Sequence, residues 1–196
     1  PEYEQLCPEK PSDLGITVKD DAWWEGQRLT IGRCVAAYNE GYDTVLLNSP
    51  PGSGKTLVAA AVGRILGIES ITCTHTLALQ DQYLRTASWA VTMRGKNNYP
   101  CGSPEQEGSG KVRQVLRREL TADDCDEYLE CENPWKNGCP YFASIGQAAD
   151  SDSVILNYSY AVRIASSKYL KRGVCEGEED EAKPNPFLRK LAVLDE

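Results

Sequence analysis

One short segment of this chain combines glycine, lysine and threonine at the spacing that binds a nucleoside triphosphate. Gly52 and Gly54 allow the backbone to curve closely around phosphate oxygens, and the N-terminus of a following helix favours anions. Lys55 can reach the β- and γ-phosphates, and the Thr56 hydroxyl can bind Mg²⁺. The predicted phosphate loop consists of Ser49, Pro50, Pro51, Gly52, Ser53, Gly54, Lys55 and Thr56.

The last apolar run of the chain ends in two carboxylates, Asp195 and Glu196, which follow the strand predicted at Leu191–Leu194. In a nucleotide hydrolase the first carboxylate would hold Mg²⁺, and the second would orient or deprotonate the attacking water. An Asp-Glu pair after a strand is by itself also typical of a solvated strand end. Together with the phosphate loop it predicts the second half of a hydrolytic site, although spacing alone does not distinguish ATP from GTP.

Four cysteines lie in one polar stretch of the chain, and these are Cys101, Cys125, Cys131 and Cys139. None of the gaps between them is the knuckle of about two to four residues that is typical of structural zinc. Four thiolates suit either a four-iron, four-sulfur cluster or Zn²⁺, and free packing thiols are the third interpretation. The other cysteines stand apart and are interpreted as packing thiols: Cys7, Cys34, Cys73 and Cys175.

The same stretch contains a basic segment that includes Lys111, Arg113, Arg117 and Arg118. On a helix Arg113 and Arg117 would share one face. This pattern is typical either of a solvated helix face or of an edge that contacts the phosphates of a nucleic-acid strand.

Composition excludes several classes of protein. The 196 residues carry a net charge of −8, which excludes a uniformly basic nucleic-acid binder but allows a single basic groove. Arg64 interrupts the longest apolar run, residues 57–68, so no membrane span is predicted. No secretory signal is visible, and eight cysteines without one favour a reducing compartment over secretion.

Apolar periodicity predicts alternating strands and helices, which is typical of an α/β fold with a parallel sheet. The predicted strands are Thr44–Asn48, Ser70–Thr74, Ser153–Leu156 and Leu191–Leu194. The predicted helices are Gly26–Asn39, one from Lys55, Leu77–Ala87 and one from Tyr158. Residues 1–22 show little periodicity and are interpreted as a surface lead-in. The adjacent Trp23 and Trp24 either pack against the fold or stack on a base.

This ordered set of motifs resembles the XPD/DinG family of superfamily 2 iron–sulfur DNA helicases. Residues 74–82 fit the family motif Thr-x-Thr-x-x-Leu-Gln-x-Gln, which in relatives couples the ATP site to DNA. Residues 98–101 and 139–141 fit the segments that bear the first and last cluster ligands, and residues 154–158 resemble the strand that returns to the motor. By this resemblance Thr74, Thr76, Gln80 and Gln82 would couple the ATP site to DNA. The candidate DNA contacts Arg113 and Arg117 come from the basic segment described above.

The resemblance implies a RecA-like P-loop NTPase sheet with a cysteine-rich, mostly helical iron–sulfur insert. The domains would be a lead-in at 1–22, motor domain 1 at 23–93 and 142–196, and the cluster insert at 94–141. ATP, Mg²⁺ and a 4Fe-4S cluster would be the ligands, with Cys101, Cys125, Cys131 and Cys139 holding the cluster. The partners would be single-stranded or forked DNA and a second RecA-like domain of the full-length protein, without a membrane.

The implied activity is ATP-dependent movement along single-stranded DNA from 5′ to 3′. Gln27 would read the adenine base, although Trp24 stands where the family usually has arginine three residues earlier. Lys96 replaces the arginine found near the first cysteine, and Pro51 stands where threonine is commoner. If the protein is prokaryotic or viral, we expect it to be cytoplasmic or associated with a nucleoid; if eukaryotic, we expect it to be nuclear. In neither case do we expect it to be secreted.

Two other functions fit the same residues. One is a zinc-bearing P-loop ATPase or small-molecule kinase, and the other is a nucleotide-gated DNA-binding module without turnover. The chain starts at Pro1 and stops at Glu196, two residues into an expected Asp-Glu-Ala-His box. We therefore expect a piece of a longer protein that does not unwind DNA by itself.

Overall fold

The computed structural model describes residues 2–100, 139–165 and 189–194. Several of the predicted site residues lie outside these ranges, namely Cys101, Arg113, Arg117, Cys125, Cys131, Asp195 and Glu196. The basic segment and the terminal carboxylates therefore remain sequence predictions.

The centre of the described fold is a parallel sheet of four strands. These are β1 (Ser70–Thr74), β2 (Val91–Thr92), β3 (Ser153–Asn157) and β4 (Leu191–Leu194). Their order is β2-β3-β1-β4, and all three pairings are parallel. The predicted α/β fold with a parallel sheet is thus confirmed, and it is compatible with a RecA-like domain.

Five helices accompany the sheet among the described residues. They are α1 (Gln27–Asn39), α2 (Lys55–Leu66), α3 (Leu77–Thr86), α4 (Pro140–Asp150) and α5 (Tyr158–Ala165). Local signals fix their ends: the Thr76 hydroxyl accepts a hydrogen bond from Leu79 N at the start of α3, and Gly67 ends α2 in the left-handed conformation. The four helices predicted from periodicity are confirmed, whereas α4 and the short β2 were not predicted.

Three clusters of buried residues form the hydrophobic core of the described fold, and the third contains Tyr83 and Ile155. One cluster joins α1 to α2 through Ile31, Val35 and Val58. A second contains Met93 and Val154. No helix among the described residues is long and apolar enough to cross a membrane.

The interpretation of residues 1–22 as a surface lead-in is wrong for several of its residues, although Tyr3 and Leu6 are exposed. Cys7, Pro11 and Ile16 are buried, and the Arg28 guanidinium donates to the carbonyl oxygens of Glu4 and Cys7. The segment forms two short 3-10 helices, Tyr3–Leu6 and Pro11–Leu14. Such short turns have too few residues to show a helical or strand period, which is why the pattern did not reveal their burial.

The strand predicted at Thr44–Asn48 is also wrong, because these residues form no regular structure. Leu46 is 91% exposed, and Val45 is exposed as well. An apolar run becomes a buried strand only when a neighbouring strand satisfies its backbone N–H and C=O groups. In the part of the sheet that the structure describes, residues 44–48 pair with none of the four strands.

Candidate nucleotide-binding site

The phosphate loop forms a tight turn directly before α2. Gly52 and Gly54 both have φ of +80°, a conformation that residues with a Cβ rarely adopt. The turn is closed by Ser53 N, which donates to Pro50 O at 3.3 Å. The Ser49 and Ser53 hydroxyl oxygens are also hydrogen-bonded, at 2.5 Å. The two glycines thus produce the curvature that the sequence predicted.

The N-terminus of α2 begins at this loop. Val58 N donates to Gly54 O at 3.1 Å, and this is the first backbone bond of the helix. The amides of residues 55–57 precede it, in the position where a helix offers N–H groups and a positive dipole end to an anion. Thr56 lies in this first turn, and the Mg²⁺ role predicted for it rests on the sequence.

The Lys55 ammonium folds back over the loop. Its Nζ atom donates to Ser49 O at 3.1 Å and to Pro50 O at 3.4 Å. Both acceptors are backbone carbonyls of the loop itself, and the side chain is only partly buried. Phosphate oxygens are stronger, charged acceptors, so the amine can exchange these carbonyls for a nucleotide without leaving the loop.

Gln27, the first residue of α1, connects this helix to the phosphate loop. The side chain is 4% exposed, its Nε2 donates to Ser53 O at 3.0 Å, and its Oε1 accepts from Trp24 N at 2.9 Å. A Cβ added to Gly54 would collide with Gln27 Nε2. The positive φ therefore favours glycine at position 54, and a Cβ there would also displace the Gln27 amide.

The predicted DNA-coupling motif divides into buried and exposed residues. Thr74 and Gln80 are completely buried, with Thr74 Oγ1 donating to Leu156 O at 3.3 Å and Gln80 Nε2 donating to Met93 O at 3.3 Å. Thr76 and Gln82 are exposed. Only the exposed pair can contact a ligand directly, so any coupling by the buried pair must act through packing.

The carboxyl ends of the parallel strands meet at one edge of the sheet. Thr74 of β1 is in register with Asn157 of β3, and Cys73 with Leu194 of β4. Ligands of open parallel sheets bind beyond this edge. Asp195 and Glu196 follow β4 in the sequence and lie outside the described residues, so their predicted roles rest on the sequence.

The described ends of the predicted cluster insert, residues 94–100 and 139–141, each contain a tyrosine. The Tyr99 and Tyr141 rings, one on each side of residues 101–138, make an edge-to-face contact with centroids 5.6 Å apart. The Tyr141 and Tyr160 hydroxyl oxygens are hydrogen-bonded at 3.0 Å. The sequence interpretation missed this cluster because the contacts join residues far apart in the chain.

Cys139 is the only predicted cluster ligand in the described part of the chain. It is buried, forms no disulfide and precedes α4 as its N-cap residue. Its position at the start of α4, next to residues 101–138 in the sequence, is compatible with the ligand role predicted for it. Among the described residues no group of three or more metal-binding side chains is brought together. The thiols interpreted as packing groups fit that role where they are described, since burial raises the pKa of Cys7, Cys34 and Cys73.

A scan against protein-family models and a search of curated proteins both give no match for this chain. The functional interpretation of the site therefore depends on its residues and their geometry.

Proposed function

We propose that this chain binds and hydrolyses ATP as the first motor domain of a DNA helicase similar to the XPD/DinG family. The observation that carries the proposal is the hydrogen-bonded unit formed by Lys55, the two positive-φ glycines and Gln27 at the N-terminus of α2. A chance glycine turn would not need a buried glutamine hydrogen-bonded to Ser53 O beside the positive φ of Gly54.

The chemistry would use the loop to hold the phosphates and the lysine to neutralise charge that develops on the β- and γ-oxygens. Thr56 and Asp195 would hold Mg²⁺, which adds further charge neutralisation. Glu196 would orient or deprotonate the attacking water. ATP binding would close this domain on a second RecA-like domain, and hydrolysis would reopen the cleft.

The DNA part of the proposal depends on the resemblance in residues 74–82. Thr76 and Gln82 are the exposed members of that motif, and Arg113 and Arg117 would add phosphate contacts from the insert. Because the Thr74 hydroxyl lies within hydrogen-bond distance of both Leu156 O in β3 and Thr76 O at the start of α3, a change at the sheet edge can reach this helix. Alternating grip on the strand in step with the nucleotide cycle would produce movement from 5′ to 3′.

The cluster part of the proposal assigns Cys101, Cys125, Cys131 and Cys139 as ligands of a 4Fe-4S cluster. The described ligand fits, since Cys139 is a free thiol at a helix N-terminus. The insert would act as a rigid wedge or strand guide and not as an electron carrier. Loss of iron with full retention of duplex separation would contradict this role.

ATP hydrolysis by the full-length protein, with and without single-stranded DNA, tests the proposal. We expect DNA to stimulate turnover, and we expect Lys55→Ala to abolish it. Binding of ATP without turnover would favour the nucleotide-gated DNA-binding module. Stoichiometric zinc with no response to DNA would favour the zinc-bearing ATPase or kinase.

A further inference from the structure

Ser49 departs from the strict phosphate-loop pattern, which has glycine at this first position. The residue is half-buried, and its hydroxyl donates to the Ser53 hydroxyl oxygen at 2.5 Å. Its carbonyl oxygen accepts from Lys55 Nζ at 3.1 Å. A glycine at position 49 could make the contact with Lys55 but not the contact with Ser53. The serine side chain therefore adds a hydrogen bond that the strict pattern lacks.

Ser53, the acceptor of this bond, is held through all three of its polar groups. Its N–H donates to Pro50 O at 3.3 Å, its carbonyl oxygen accepts from Gln27 Nε2 at 3.0 Å, and its hydroxyl oxygen accepts from Ser49. Within the described part of the chain, only the hydroxyl proton of Ser53 has no acceptor. A hydroxyl that is fixed and keeps its proton is a donor that needs no rearrangement when a ligand arrives.

The surroundings of this proton favour an anionic acceptor. Ser53 lies between the two positive-φ glycines of the loop, directly before the N-terminus of α2. The Lys55 ammonium is bonded to the carbonyl oxygen of Ser49, the residue whose hydroxyl holds Ser53. A hydroxyl donates more strongly to a charged phosphate oxygen than to a neutral acceptor. Donation by Ser49 also polarises the Ser53 O–H group, and hydrogen bonds in such a chain strengthen one another.

We propose that Ser49 is a positioning residue of the nucleotide site, and that it holds the Ser53 hydroxyl so that Ser53 donates its proton to a phosphate oxygen of the bound triphosphate. This inference rests on the proposed nucleotide site and gives a role to the residue that departs from the loop pattern. Ser49 acts only through Ser53. Loss of the Ser49 hydroxyl should therefore matter only while Ser53 keeps its own hydroxyl.

A double-mutant cycle tests this dependence. Affinities for ATP and for inorganic tripolyphosphate are measured by calorimetry with Mg²⁺ present, in the parent chain, Ser49→Ala, Ser53→Ala and the double variant. We expect each single substitution to weaken both ligands by about fivefold, the value of one hydrogen bond. The double variant should bind as Ser53→Ala does, because the group through which Ser49 acts is then missing. Ser49→Thr keeps the hydroxyl and should retain the parent affinities.

Ser88→Ala is the matched control, because Ser88 is an exposed serine outside the loop. It should leave both affinities unchanged. If Ser49→Ala binds both ligands as tightly as the parent chain, or if its effect multiplies with that of Ser53→Ala in the double variant, the positioning role is wrong although the nucleotide site stands. If the parent chain binds neither ligand, the nucleotide site is wrong and the role of Ser49 fails with it.

Discussion

Lys55 Nζ lies 3.1 Å from the carbonyl oxygen of Ser49, so the first and seventh residues of the phosphate loop are joined by a hydrogen bond. The lysine thereby joins the two ends of the loop and places a positive charge beside the position proposed for the phosphates. Because the acceptor is a neutral carbonyl in a partly exposed position, the contact contributes little to folding stability. If the loop binds a nucleotide as proposed, the ammonium is already in position for its phosphates.

Lys55→Ala should therefore damage binding much more than stability. We expect ATP affinity to fall by about 10- to 100-fold, the value of a hydrogen bond between charged groups. The free energy of unfolding should change by less than about 0.5 kcal/mol, as for other surface substitutions. Calorimetry and urea denaturation measure the two quantities, with Lys19→Ala at an exposed lysine as the control. Unchanged ATP affinity in Lys55→Ala would remove the basis for the phosphate loop.

Gln27→Ala should change both stability and binding, because Gln27 is buried and bonded at both ends of its amide. We expect a loss of about 1–3 kcal/mol in the free energy of unfolding. Affinities for ATP and GTP should fall by the same factor, since the loop loses its support irrespective of the base. Gln5→Ala, at an exposed glutamine, is the control. Selective loss of ATP affinity would instead identify Gln27 as the residue that reads adenine.

Gln80 and Gln82 lie on the same helix, but substitution of Gln80 should lower stability whereas substitution of Gln82 should not. Gln80→Met removes the bond to Met93 O with little change in volume, and it should destabilise the fold by about 1–3 kcal/mol. Gln82→Ala is at an exposed position and should leave stability within about 0.5 kcal/mol. If residues 74–82 couple ATP to DNA, Gln82→Ala should lower DNA stimulation of the full-length ATPase without changing its basal rate. Equal stimulation in both proteins would contradict a direct role for Gln82.

The sequence predicted the elements whose signals are local. The helix at Lys55 follows a glycine turn, and α3 begins at a threonine cap, so both could be placed from short patterns. The strand expected at Thr44–Asn48 failed because its pairing depends on a neighbour that an apolar run does not specify. β2 has only two residues and therefore shows no alternation.

In the candidate site, too, the local features could be predicted from the sequence and the tertiary contacts could not. The loop from Ser49 to Thr56 was predicted because its chemistry lies in consecutive residues. The bond from Gln27 to Ser53 joins α1 to the loop across the fold, and no spacing rule reveals such a contact. Trp23 packs against the cluster between α1 and α2 whereas Trp24 is 62% exposed, and this difference likewise depends on tertiary packing, since their sequence neighbourhood is the same.

The buried hydroxyl of Tyr160 should make the folding stability of the protein decrease in alkaline solution. Burial raises the pKa of its hydroxyl, and the hydrogen bond with Tyr141 acts in the same direction. Because the pKa in the folded state is above the ordinary value of about 10, the stabilisation is fully present below about pH 10. It is lost as the pH rises further, since the unfolded chain then releases a proton that the folded chain retains.

Tyr160→Phe removes this dependence. The difference in unfolding free energy between the parent chain and the variant should be constant below about pH 9. Above about pH 10 the parent should lose up to about 1.4 kcal/mol per pH unit relative to the variant. Urea denaturation at several pH values measures the difference, with Tyr42→Phe at an exposed tyrosine as the control. Parallel profiles for the parent and Tyr160→Phe would show that the buried hydroxyl does not control alkaline stability.

Cys139→Ser should remove the proposed cluster and leave the nucleotide site intact. Cys139 lies at the N-terminus of α4, whereas the phosphate loop lies between α1 and α2, so the two sites use different segments. We expect iron and acid-labile sulfide to be lost from protein purified without oxygen, with ATP affinity retained. Cys34→Ser, at a half-buried cysteine of α1, should keep its iron.

Retention of iron by Cys139→Ser would exclude this residue as a ligand, and stoichiometric zinc in the parent chain would contradict the iron–sulfur assignment. Iron loss together with loss of ATP affinity would contradict the separation of the two sites, because it would require one folding unit to support both.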